Sequence, residues 1–151
     1  MPGEHARVRV VRVVEAGRLR RTCRAYAFCG AVETLLELEI PKRAQYLRVI
    51  HMELNRIMSH LVWLGTSALD LGAISVWWYC FREREQLLDL FEMSSGQRMH
   101  TRYFQVGGVI EDVPAGWVEM VRRFTAVMPE RTEVYGDLLN APWPQVDPAA
   151  L

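Results

Sequence analysis

The chain has few of the features that usually announce chemistry. Its three cysteines, Cys23, Cys29 and Cys80, form no CxxC pair. That argues against a disulfide framework or a self-contained zinc site and suits a reducing compartment. No glycine-rich phosphate loop, GxSxG elbow or HExxH helix is present, so no nucleotide, iron–sulfur cluster or catalytic metal is bound by a motif of its own. Basic and acidic residues balance at 18 each, which removes any bulk electrostatic case for nucleic acid. Residues 1–24 carry charges throughout and lack the apolar stretch of a signal peptide. There is no internal repeat and no low-complexity tract.

What is present is apolar. Half of the 151 residues are hydrophobic, enough to exclude general disorder and to build one domain's core. Five tryptophans and seven methionines are many for this length, and they are easier to bury inside a larger assembly. From Ile57 to Phe81 the chain reads IMSHLVWLGTSALDLGAISVWWYCF, with Asp70 as its one formal charge. A membrane span needs ~20 apolar residues, but Asp70 at a helix centre would cost roughly 2.5–3.5 kcal/mol there. Gly65, Gly72 and the scattered hydroxyls divide the run further. The better expectation is a packed core, with no transmembrane span and with Asp70 satisfied by a partner.

The spacing predicts a mainly α fold, a helical bundle with one short β-like excursion. A first helix is expected over about Ala25–Glu39, ending before Pro41. Pro41 suits the first turn of a second helix. There Leu47, Ile50, Leu54, Ile57, Leu61, Leu64, Ala68 and Leu71 keep a 3,4,3,4 spacing, the pattern of a packing seam, and Gly72 is the natural stop. A third helix is expected over Val76–Met93, with FREREQLLDLF presenting a solvated face laced with ion pairs. MHTRYFQVGGVIEDV reads as extended or irregular, turning at Gly107-Gly108. A last helix follows Pro114, over about Gly116–Val127. Three regions result: an arginine-rich arm over 1–24, a helical core over 25–128, and a divergent, proline-rich tail over 129–151 expected to be flexible.

Candidate chemistry rests on polar residues in apolar surroundings. Val62, Thr66 and Asp70 stand four apart and share a helix face beside the seam. A hydroxyl and a carboxylate on such a wall suit an amphiphilic ligand, apolar along its body and fixed at one polar end. The bland alternative has Thr66 bonding back to its own helix and Asp70 paired with an arginine. Glu53, Arg56 and His60 read most simply as a packed ion pair with a satisfied histidine. His100, in GQRMH, is a loop histidine able to titrate near neutral pH.

Three blocks then carry a resemblance. RAQYLRVIHMELNRIMSHLVWLGTSALDLGA, FREREQLLDLFEMSSGQRMH and YFQVGGVIEDVPAGW together resemble the 49-kDa-type subunit family of respiratory complex I, in a resemblance that begins near Ala25 and stays in register to about Trp117. Its bacterial members are the D subunits of NADH-quinone oxidoreductase. The resemblance implies a fold related to the nickel–iron hydrogenase large subunit without its metal-binding cysteines. It implies that Asp70, with Thr66 and Val62, lines a quinone-binding cavity, and that Asp70 pairs with a histidine from an N-terminal β-hairpin. His100, with Arg98 beside it, would lie next to a terminal iron–sulfur cluster carried by a neighbouring subunit. Quinone is then a substrate, and no cofactor or metal is bound by this chain alone. The implied partners are the other complex I subunits: the iron–sulfur B subunit, the C subunit and the membrane-embedded H subunit. The implied location is peripheral, on the cytoplasmic side of the inner membrane.

In register, the family's quinone-contacting tyrosine falls at Arg18, and an arginine three residues earlier falls at Glu15. The resemblance covers only the middle of the family's length, and two expectations follow. One is a partial D subunit that works only with complementary parts and is inactive towards NADH and quinone alone. The other is a non-catalytic helical interaction or assembly module, or a degenerate gene fragment, keeping the fold. A component of a membrane-bound hydrogenase-like complex is a third, lesser reading.

Overall fold

The computed structural model describes residues 21–99 and 101–140. The arginine-rich arm, apart from its last few residues, and the end of the tail lie outside the described residues. Four helices and one small hairpin follow in order: α1 (Arg21–Leu35), α2 (Lys42–Asp70), α3 (Ile74–Ser95), β1 (Phe104–Gln105), β2 (Gly108–Val109) and α4 (Trp117–Asn140). The fold is mainly α, as the periodicity implies.

Helix α1 ends earlier than its apolar pattern suggests. Glu37 takes a left-handed φ of 51°, and the Leu38 N–H donates back to the Glu33 carbonyl at 3.0 Å. The chain therefore turns out of the helix well before Pro41. Pro41 sits just outside α2 with extended ψ of 136°, and its carbonyl accepts the Gln45 N–H at 3.1 Å.

Helix α2 is the spine. Leu47, Leu54, Leu61 and Ala68 are buried at seven-residue steps, while Ile50, Ile57 and Leu64 are partly buried beside them. The expected seam is thus present as far as Ala68, with one set of positions facing the core and the other its edge. Leu71, the last expected member, lies beyond the helix and is 74% exposed. The helix closes in a six-residue turn. The Ala73 N–H reaches the Ala68 carbonyl at 2.8 Å, and the Gly72 N–H reaches Leu69 at 2.9 Å. Gly72 supplies the required positive φ of 88°.

That turn folds the long apolar run in two. Its halves become the end of α2 and the start of α3, packed side by side. Gly65 lets them approach: a Cβ there would stand 3.4 Å from that of Cys80. No described helix is long and apolar enough to cross a membrane.

Between α3 and α4 the chain forms the two-stranded hairpin, pairing Phe104 with Val109 and Gln105 with Gly108. Gly107, φ 89°, turns it. Helix α4 then packs on α3 through Trp117 and Phe124, whose side chains are buried. The indole N–H of Trp117 donates to the Leu90 carbonyl at 2.8 Å.

Two expectations are corrected here. Helix α4 does not stop near Val127 but continues through Pro129 to Asn140. Tyr135 buries its ring and Leu138 packs on the core, and that burial outweighs the local cost of an interior proline. The face of α3 read as solvated also contains Glu83, which is only 2% exposed. Its carboxylate accepts hydrogen bonds from Arg82 and, at 3.0 Å, from Gln86.

Candidate functional site

The sequence-derived candidates fall at two separate places. Val62, Thr66 and Asp70 run down the last turns of α2, ending at the α2–α3 turn. Val62 is partly buried, and Thr66 and Asp70 are exposed. The Thr66 hydroxyl donates to its own helix, at 2.8 Å to the Val62 carbonyl and 3.1 Å to Trp63. Its lone pairs stay free to accept, so the bland expectation for Thr66 holds without closing the other.

Asp70 is the last residue of a 29-residue helix. A carboxylate there meets the negative end of the helix dipole, an unfavourable place. Among the described residues it has no ion-pair or hydrogen-bond partner, so the arginine pairing suggested as an alternative does not occur here. Its neighbours along the chain, Leu69, Leu71 and Ile74, are apolar and exposed. An unpaired carboxylate in such surroundings is set up to meet a cation or a hydrogen-bond donor brought by something else.

Arg98 lies at the other end of the hairpin formed by α2 and α3. Helix α3, 22 residues long, separates it from Asp70 by roughly 33 Å of helix axis. Gly96, φ 69°, turns the chain back there. The guanidinium then lies along α3, donating at 2.6 Å to Asp89, at 3.0 Å to Glu92, and to Glu85. These hydrogen bonds and charges raise its already high pKa. His100 lies outside the described residues, so only Arg98 of this pair has a described environment.

The Glu53, Arg56 and His60 group is exposed rather than packed. Arg56 pairs with Glu53, and His60 instead lines an apolar groove of about 660 Å³ between α2 and α4. Leu61 and Leu64 form its wall on α2, and Met128, Pro129 and Tyr135 its wall on α4.

Two buried polar groups that matter most to the architecture were not singled out by sequence. Arg48 is 3% exposed. It donates to both oxygens of Glu33 at 2.6 and 2.9 Å, and to the carbonyls of Gln105 and Gly108 at 2.7 and 2.8 Å. Glu33 in turn accepts the Gly107 N–H at 2.7 Å. One ion pair thereby straps the β-hairpin to α1 and α2. Burial alone would raise the Glu33 pKa, but the bonds from Arg48 and Gly107 reverse this and hold it below the usual carboxylate range.

His51 is the second. Its ring stacks on Tyr103 at 4.0 Å and on Trp117 at 4.9 Å between centroids. The Leu47 carbonyl lies 2.9 Å from Nδ1, which fixes the proton there. Nε2 then accepts from the Ser94 hydroxyl at 2.9 Å. Burial lowers its pKa to about 4, so the ring is neutral near pH 7. The available signal was position. Arg48 and His51 sit one and four residues after Leu47, on the seam's own side of the helix.

Among the described residues no group of three or more His, Cys, Asp or Glu side chains could hold a metal.

The family model described as respiratory-chain NADH dehydrogenase, 49 Kd subunit, matches residues 70–142. The chain is similar to the NADH-quinone oxidoreductase D-subunit 1 of Solibacter usitatus, 56% identical over 113 residues, covering 75% of this chain and 28% of that protein. It is similar to the D-subunit 2 of Chloroflexus aurantiacus, 60% identical over 111 residues, 74% of this chain and 27% of the relative. The D subunit of Bacillus mycoides is 51% identical over 115 residues, 76% and 31%. The match spans less than a third of the length of these curated relatives.

Proposed function

Since the chain belongs to the 49-kDa subunit family of respiratory-chain NADH dehydrogenases, we propose that it serves as part of the D subunit of a proton-translocating NADH-quinone oxidoreductase, supplying one wall of the quinone cavity. Asp70 would meet the quinone head or the group that protonates it, with Thr66 and Val62 lining the approach. The observation that carries this is Asp70 itself: a carboxylate at a helix C-terminus, without a partner among the described residues, in a stretch of chain where Leu69, Leu71 and Ile74 are also exposed. A quinone needs an apolar channel for its tail and polar, proton-competent groups at its head.

Arg98 and His100 would face a terminal iron–sulfur cluster held by the neighbouring iron–sulfur B subunit. The C subunit and the membrane-embedded H subunit would be further neighbours. The location would be peripheral, on the cytoplasmic face of the inner membrane.

The test is Asp70→Asn in an assembled complex carrying this segment. Quinone reduction should fall while NADH still reduces the iron–sulfur clusters. Unchanged quinone turnover would sink the assignment. A second reading, a non-catalytic helical module, is favoured by the pairing of Arg98 with three carboxylates of α3. It expects neither variant nor wild-type chain to affect quinone turnover.

A further inference from the structure

Helix α4 carries a proline in its interior, at position 129 of the span Trp117–Asn140. Pro129 has no N–H for the Thr125 carbonyl, and its ring crowds that turn. The backbone ladder of the continuous helix therefore lacks one bond, at the junction of an N-terminal part, through Met128, and a C-terminal part, from Glu130 onward.

The two parts are held differently. The first is anchored by Trp117 and Phe124, both buried, with the indole bonded to the Leu90 carbonyl at 2.8 Å. The second is held by the ring of Tyr135, by Leu138 and by one polar contact. In that contact Arg131 Nε stands 3.6 Å from Glu83 Oε1, an ion pair too long for a hydrogen bond. Among the described residues, buried Arg131 Nε and the Tyr135 hydroxyl both lack a hydrogen-bond partner. Glu83 does not depend on Arg131, because Arg82 and Gln86 of its own helix already satisfy it. Releasing Arg131 strands no buried charge, and it frees two unsatisfied donors to find partners elsewhere.

The apolar groove lies at this junction. Thr125 and Met128 contribute from one side of the proline, and Thr132 and Tyr135 from the other. We propose that α4 is hinged at Pro129, and that its C-terminal part is a flap, latched by Arg131 on Glu83, whose position sets the width of the groove against α2. The groove then opens by a swing of this flap rather than by separation of the whole helix.

Hydrogen exchange of the full chain, read by mass spectrometry on peptides spanning 118–128 and 130–140, tests this. The C-terminal peptide should exchange faster, as a separately opening unit. Arg131→Met should speed it a further two- to fivefold, about what an ion pair of this kind contributes, and leave 118–128 unchanged. Pro129→Ala restores the missing N–H at an exposed position and should bring the two parts toward one common protection. A single protection level over 118–140 in the wild type would overturn the hinge. An equal effect of Arg131→Met on both peptides would overturn the latch.

Discussion

The imidazole of His51 lies nearly parallel to the ring of Tyr103, 4.0 Å between centroids and 19° between planes. The same imidazole is stacked at 9° on Trp117. A neutral ring sits comfortably between two aromatic faces; a charged one would lose its water with only one hydroxyl and one carbonyl in return.

The pH dependence of stability follows from that. The folded pKa of His51 is lowered to about 4, against about 6.5 in the unfolded chain. The unfolded state therefore binds the proton first. Stability from this site is complete above pH ~6.5 and is lost as pH falls from there toward 4, by about 3 kcal/mol. His51→Phe keeps the stack and removes the titration. Urea midpoints measured between pH 4 and 7 should slope for the wild type and be flatter for the variant. Parallel slopes would show that another group controls the acid limb.

The strap on the β-hairpin is a different case, since its charges are paired. Arg48→Met leaves the buried Glu33 carboxylate facing the Gly107 N–H alone and takes the donor from two carbonyls. A loss of about 3–5 kcal/mol is expected, as for other broken buried pairs. Adding Glu33→Leu should recover part of it, because the stranded charge is then gone. Denaturant curves of both single variants and the double give the coupling; strictly additive losses would mean the two residues act independently.

Asp70 should show opposite effects on stability and function. In the isolated chain it is exposed and unpaired at the negative end of α2, so Asp70→Asn should raise stability by about 0.3–1 kcal/mol. In an assembled complex the same change should cost quinone turnover. The purified wild-type chain alone is expected neither to oxidise NADH nor to reduce quinone. If Asp70→Asn instead lowered the melting temperature of the isolated chain, that would reveal a structural partner and weaken the case for a functional one.

Much of the helical frame was legible because it depends on local signals. Gly72 marks its turn by the positive φ it adopts, and the Leu47–Ala68 seam marks its face by spacing. The extent of α4 was not legible. Pro129 is a stop signal to local rules, and only the burial of Tyr135, on a neighbour distant in sequence, overrides it. Arg48 and Glu83 were hidden for a related reason. A charged residue reads as solvated until its surroundings are known: the partners of Arg48, Glu33 and the hairpin carbonyls, come from other elements, and Glu83, although bonded by Arg82 and Gln86 of its own helix, is buried. Asp70 was legible as an anomaly from the start. Its position at the end of a helix adds a reason why it wants a donor, and the described residues do not contain that donor.

The Arg48 strap also bears on the order of assembly. Helices α2 and α3 meet through a short turn, so their contacts close small loops and form early. The bonds from Arg48 to Gly108 and from Gly107 to Glu33 join residues 60 and 74 positions apart. Neither gains its full set of partners until α1 lies on α2. The guanidinium thus closes long loops, and its bonds carry a larger loop-closure cost than the contacts across the α2–α3 turn.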